Sequence, residues 1–396
     1  MERAAAILLA TLLTAPLLAG GVAGSHAQAS PVDCTFPVSA TDATGTAVTV
    51  DDEPGRLVVL APSAAQTVWA IGAQDAVVGM PVNQFTAYLD GRENKTNVVG
   101  ERGQPVREAV VASTPDLVLA PNIITNETVE KLRDALPDDV AVYRVQAARS
   151  VEDVAAKTEL TGQLVGAFDE AARVAAETRG VAATIAEATA DRERPTIYYA
   201  LGGGWTAGTE TFIGNLVELA GGENVAAAAN ITGYAPISQE VIAAEDPDWI
   251  VLGEGTPLPK NPAVNDSTAV EEGNVLTVDA NFLNQPGPKT VIPLEAMARA
   301  FHPDAVPSET LENVDTPEPT QCEADASTPT TATTTTAEPT TATDEPVSTT
   351  TDEPTTTSVA ETTSGSGPGF GVVATLATLV ALLALLAVVP SMLRRD

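Results

Sequence analysis

Trp205 follows three consecutive glycines, Gly202-Gly203-Gly204, and precedes Thr206. Glycines let a bulky ligand approach the backbone, and an exposed indole offers that ligand a flat apolar face. Aromatic residues make up only 4% of the chain, so the gathering of others beside amides in turn-like segments is informative. These are Asn83-Gln84-Phe85 with Tyr88, then Tyr234, then Asn281-Phe282 near Gln285. Such groups stack and hydrogen-bond; they do not transfer atoms. Residues arranged for group transfer are missing from the sequence, which has no G-x-S-x-G, no phosphate loop and no G-x-G-x-x-G with a downstream acid. Of two histidines, His26 lies in the apolar leader and His302 near the end of the body, so no multi-His zinc or manganese site is available. Neither enzymatic activity nor a resident cofactor or metal is expected, and His302 is expected to be a surface or capping residue.

These residues need elements to hold them. Short β-branched runs at 57–61, 76–80, 117–120, 140–145, 196–201, 249–252 and 275–278 alternate with helical segments, the pattern of α/β units with parallel sheets. Ser63-Ala64-Ala65-Gln66 reads as a capping box opening a helix that ends at Gly72. A long helical stretch is capped by Ser150 with Asp153 and runs to about residue 189; unbroken, it would span about 58 Å. Gly162, Gly166 and Gly180 mark places where it would bend or break.

An internal echo divides the body into equivalent halves. Glu108 is followed by Pro115-Asp116-Leu-Val-Leu, and Glu240, at the same spacing, by Pro247-Asp248-Trp-Ile-Val-Leu. Each reads as a short helix, a turn at Pro-Asp and a buried strand. In open parallel sheets, ligands bind beyond the carboxyl ends of the strands. The segments there hold Ser63, Asn83, Gln84, Phe85, Tyr88, Arg102, Asn122, Trp205, Thr206, Tyr234, Asn281 and Phe282. All twelve are candidate ligand contacts.

Outside the body, residues 1–29 combine Arg3, an apolar run and Ala27-Gln28-Ala29, the form of a signal peptide. Residues 30–55 lead into the body, and 316–367 form a Thr/Pro-rich stretch too poor in apolar residues to fold. An apolar run at 370–389, followed by Arg394 and Arg395, is long enough to cross a bilayer. Cys34 and Cys322 stand at the two edges of the body, either as one disulfide closing it or as free thiols. Asn94, Asn126, Asn230 and Asn265 open N-x-S/T sequons that N-glycans could occupy. The net charge is −33, with 53 acidic residues against 20 basic, of which five are lysines. Such a surface repels nucleic acid and folds best where salt screens its carboxylates, as in an extreme halophile.

Residues 57–80 (LVVLAPSAAQTVWAIGAQDAVVGM), 107–121 (REAVVASTPDLVLAP), 211–225 (TFIGNLVELAGGENV) and 238–252 (SQEVIAAEDPDWIVL) resemble the iron-chelate and cobalamin substrate-binding proteins of ABC importers. That resemblance, over about 250 residues, implies two Rossmann-like lobes with parallel sheets, 56–149 and 191–315, bridged by a long α-helix, 150–190. It also implies a metal-chelate ligand, cobalamin, ferric siderophore or haem, taken between the lobes of a monomer. Glu108 and Glu240 are implied to dock on arginines of the ABC permease; Gln66 departs from the family, which often has Glu there. Gly367-Pro368-Gly369-Phe370, the apolar run and the terminal arginines resemble the PGF-CTERM sorting signal of haloarchaeal surface proteins over 368–396. This implies an archaeosortase as partner and an outward-facing body anchored at its C-terminal end. A structural surface glycoprotein or adhesin would also use stalk, anchor and sequons, yet it would need neither the paired Glu-Pro-Asp units nor the bridging helix.

Overall fold

The computed structural model describes residues 34–311, 314 and 316–319. The signal peptide, the stalk beyond 319 and the C-terminal sorting signal with its apolar run lie outside the described residues, as does Cys322. No helix among the described residues is long and apolar enough to cross a membrane.

The first lobe opens with an antiparallel hairpin, β1 (Val38–Thr41) and β2 (Ala47–Val50). Sequence periodicity over four-residue strands is too short to announce it, and it was not expected. Asp42 holds it in place: its carboxylate accepts from Thr44 N at 2.8 Å and meets the Arg133 guanidinium at 2.6 Å. The parallel sheet follows, formed by β3 (Leu57–Val59), β4 (Val77–Met80), β5 (Thr96–Asn97), β6 (Leu117–Ala120) and β7 (Ala141–Arg144). Its order is β5-β4-β3-β6-β7. Alternate residues of β3 enter opposite cores, Leu57 and Val59 one, Val58 the other, which is why these strands read as continuous apolar runs. The helices α1 (Pro62–Ala70), α2 (Arg107–Ala112) and α3 (Asn126–Arg133) cover the faces.

The expected single spine is two helices. α4 (Val151–Val165) starts at the Ser150–Asp153 capping box, and α5 (Phe168–Thr189) folds back along it. Gly166 makes the break, with φ of 79° in the left-handed region where a side chain is strained. Gly162 permits close approach, because a Cβ there would stand 2.1 Å from the Cβ of Ala171. Across the pair, Arg179 on α5 holds Glu152 at 2.9 Å and Glu159 at 2.6 Å on α4. Val151 and Val154 pack in the second lobe's core, whereas Leu164, Val165, Ala171 and Val174 pack in the first lobe's and Ile185 again in the second's. The hairpin therefore crosses the lobe boundary twice.

The second lobe contains β8 (Thr196–Ala200), β9 (Trp205–Ala207), α6 (Phe212–Leu219), β10 (Glu223–Asn224), α7 (Val225–Ala228) and β11 (Tyr234–Pro236). It continues through α8 (Gln239–Glu245), β12 (Trp249–Gly253), α9 (Pro262–Asn265), α10 (Thr268–Glu272), β13 (Val275–Val278), α11 (Ala280–Asn284) and α12 (Val291–Phe301). The sheet order is β10-β8-β12-β13, all parallel, while β9 and β11 form a separate antiparallel ribbon.

The Glu-Pro-Asp echo has a common structural job in both lobes. Asp116 accepts from the backbone N–H of Gly55 at 3.0 Å and Arg56 at 2.9 Å, just before β3. Asp248 accepts from Thr196 N at 2.7 Å, at the head of β8. Each aspartate ties the start of its parallel sheet's first strand, β3 or β8, to the strand it introduces, β6 or β12. In both sheets that pair is the place where connections diverge to opposite sides. Such a switch point opens a crevice beyond the strands' carboxyl ends.

Candidate ligand-binding cleft

The carboxyl ends of the two sheets face each other across α4. Ser63 in the first turn of α1, Asn122 after β6 and Gln146 after β7 line a narrow crevice whose floor is Lys157 and Thr161 of α4 and whose far side includes Pro286. The capping box expected at Ser63 is absent: Pro62 takes the first helical position, Ala61 is the N-cap, and Ser63 is left facing the crevice. Asn122 is exposed, and its carbonyl accepts from Arg144 at 2.8 Å.

Trp205 and Tyr234 stand on the ribbon beyond β8. Trp205 pairs with Pro236 and Tyr234 with Ala207, so strand alternation puts the indole and the phenol on one face. Gly202, Gly203 and Gly204 all have positive φ, 103°, 61° and 81°, a run that side chains would strain. Trp205 is partly buried and Tyr234 is 42% exposed. Thr206 points the other way and is fully buried, its hydroxyl donating to Tyr199 O at 2.8 Å. That residue supports the ribbon from behind and is not a ligand contact.

Five of the other candidates come together as a contact between lobes. Asn83 Oδ1 accepts from Phe85 N at 2.9 Å and caps a short 3-10 turn. The Phe85 carbonyl accepts from Gln285 Nε2 at 2.9 Å, and the Tyr88 hydroxyl donates to Gln285 Oε1 at 2.9 Å. Gln285 also donates to Asn281 Oδ1 at 3.3 Å, and the Tyr88 ring meets Phe282 edge-on with centroids 5.1 Å apart. Burial pushes the Tyr88 phenol up, so it stays a donor. Gln66 completes the contact: it is fully buried, donates to Tyr88 OH at 3.0 Å and accepts from Lys289 N at 3.0 Å. Gln84 is exposed beside this group, and Arg102 is exposed in a turn closed by the Val99–Pro105 bridge. No hydrogen bond or ion pair among the described residues brings Arg102 to the second lobe.

Lys157 is the site residue that the sequence reading does not name; Gln66 enters it as the end of a capping box and as a departure from the family, and Gln285 only as an amide beside Asn281-Phe282. Lys157 had a detectable signature, since it sits with Val154, Thr161 and Leu164 on the apolar stripe of α4 in a chain holding five lysines.

Glu108 and Glu240 occupy the first turns of α2 and α8 and are exposed. Each helix runs antiparallel to the strand it feeds, so its first turn stands on the cleft rim. The Glu108 carboxyl is held below its usual range by its own backbone N–H and by Arg107 at 3.1 Å, and Glu240 by its own backbone N–H and Ser238. His302 is buried at the end of α12, donating to Gly221 O at 3.1 Å. Asn94, Asn126, Asn230 and Asn265 are all exposed. Cys34 is disulfide-bonded; its expected partner, Cys322, is outside the described residues.

A profile of the periplasmic binding protein family matches residues 57–282. The chain is 44% identical over 315 residues, covering 75% of it and 83% of the relative, to a cobalamin-binding protein of Halobacterium salinarum. It is 28% identical to the uncharacterized ABC transporter substrate-binding lipoprotein YvrC of Bacillus subtilis, covering 77% of this chain and 99% of that one. Among solved structures it is similar to the apo periplasmic heme-binding protein RhuT from Roseiflexus sp. RS-1, with a TM-score of 0.56 and 25% identity over 63% of this chain and 98% of that one. A periplasmic heme-binding protein from Pseudomonas aeruginosa aligns with a TM-score of 0.54 and 25% identity, over 63% of this chain and 94% of that one. With two parallel sheets facing across a helical hinge, and a profile match extending from β3 into α11, the chain belongs to the periplasmic binding protein family.

Proposed function

We propose that this chain is the capture subunit of an ABC importer and that its ligand is a corrinoid of the cobalamin class. The observation that carries the choice of ligand is the 44% identity to a cobalamin-binding relative over most of both chains. The cleft chemistry agrees with it. Trp205 and Tyr234 form one aromatic face on a glycine-supported ribbon of the second lobe, and Ser63, Asn122 and Gln146 of the first offer uncharged polar groups in the crevice, suited to a large ring rimmed with amides. The likeness to heme-binding proteins supports the broader class of flat metal chelates. Haem requires an axial ligand: the body's one histidine is buried against Gly221, so the Tyr234 phenol on the ribbon is the group that would have to supply it.

Delivery is assigned to Glu108 and Glu240, ionised and exposed on the rims of the two lobes. The protein works as a monomer on the outer face of the membrane, anchored at its C-terminal end by a lipid that replaces the sorting segment when an archaeosortase removes it. Titrating the chain in molar salt with cyanocobalamin, a ferric siderophore and haemin tests the ligand. The reading requires saturable one-to-one binding of cyanocobalamin, at least about tenfold tighter than of the other two. A preference for haemin or siderophore would replace the corrinoid assignment.

A further inference from the structure

Lys157 lies midway along α4, and its ammonium enters the crevice between the lobes, where it donates to the carbonyl of Pro286. The crevice presents Ser63 and Thr67 from α1, Asn122, Gln146 and Thr161, and no carboxylate. Among the described residues every ion pair is made by some other cation. Carboxylates are not in short supply, with 53 acidic residues in the chain. Asp153, one turn back on the same helix, is occupied with the backbone N–H groups of Arg149 and Ser150. A desolvated ammonium facing only neutral oxygens carries a cost that an anion would remove.

We propose that Lys157 is an anion anchor on the cleft floor, exchanging the Pro286 carbonyl for a phosphodiester or carboxylate oxygen of the bound ligand. The proposal rests on the cleft being the capture site. Desolvation lowers the ammonium to about 8, opposed by the charge of Asp153, and no other titratable group lines the crevice. A bound anion raises that value. Anchoring is therefore complete below about pH 8 and lost as pH rises above it.

The test uses the whole chain in molar salt with three probes: cyanocobalamin, which has one phosphodiester, cobinamide, which lacks it, and haemin, which carries two carboxylates. Lys157→Met is expected to weaken cyanocobalamin binding by about tenfold or more while leaving cobinamide unchanged. Wild-type affinity for cyanocobalamin falls above about pH 8, and Lys157→Arg, whose charge does not titrate there, binds with a flat profile. Loss for haemin with none for cyanocobalamin assigns the anchor to carboxylates instead. Equal loss for cyanocobalamin and cobinamide means that Lys157 only shapes the floor and overturns the proposal, as does unchanged binding of every probe. Should Lys157→Met fail to fold, the pH profile of Lys157→Arg against wild type decides alone. If the wild type binds no probe, the capture reading itself fails and the anchor falls with it.

Discussion

Trp205 owes its position to backbone rather than to its own packing: three glycines at positive φ turn the chain, and the indole emerges partly buried on the ribbon. Removing it should therefore cost binding more than stability. Trp205→Ala is expected to weaken corrinoid affinity by about tenfold or more with little change in thermal midpoint, checked by titration and calorimetry on the same sample. Equal affinity would remove the indole from the site. Residue type and glycine spacing made Trp205, Tyr88 and Phe282 legible in sequence, because few aromatics exist and they gather in turns. Orientation was not legible. Thr206, next to Trp205, faces inward to Tyr199, while across the lobes Tyr88 meets Phe282 and the Phe85 carbonyl meets Gln285. Gln66 and Gln285 act through partners about 200 residues away in the chain, a separation that local pattern cannot register.

Between elements, the hinge gives a test with a definite sign. Gly to Ala inside an isolated helix stabilises it by about 1 kcal/mol. In the α4–α5 pair a Cβ on Gly162 would collide with Ala171, so Gly162→Ala is expected to cost about 1–3 kcal/mol, read from chemical denaturation. A stabilised variant would mean that 151–189 is one continuous helix. The seven strands expected from sequence are all present; the inner ones, β3, β6, β8 and β12, are buried on both faces and so read as short unbroken apolar runs. What periodicity missed is where a helix reverses: Gly166 was flagged with Gly162 and Gly180, yet only a partner surface decides which glycine breaks the helix. The matched helices α2 and α8 bear on delivery. Reversing Glu108 and Glu240 together to Arg should abolish most uptake while ligand affinity stays within about twofold, because both carboxylates are exposed on the rims and remote from the crevice floor. Normal uptake would leave the two acids with helix-capping roles alone.

Over the whole molecule, a net charge of −33 makes stability depend on the solvent. Carboxylates repel across about 10 Å at 0.1 M salt and only about 3 Å at 1 M, so the thermal midpoint is expected to fall steeply as salt is lowered to tens of millimolar. An unchanged midpoint would put the charge outside the fold's energetics. The two-lobed architecture could be read from sequence because its second half repeats the first, Asp116 and Asp248 tying equivalent strands. How the lobes meet could not, since that surface is built from side chains that only the folded chain brings together. The central claim is that a corrinoid lies between the lobes, over α4 and against the Trp205–Tyr234 face. A crystal structure of the chain grown with cyanocobalamin in molar salt tests it most directly. The account predicts the ring against Trp205, with the Lys157 ammonium turned from Pro286 to the phosphodiester. A corrinoid bound outside the interlobe cleft, or a cleft that remains closed and empty at saturating ligand, would contradict it.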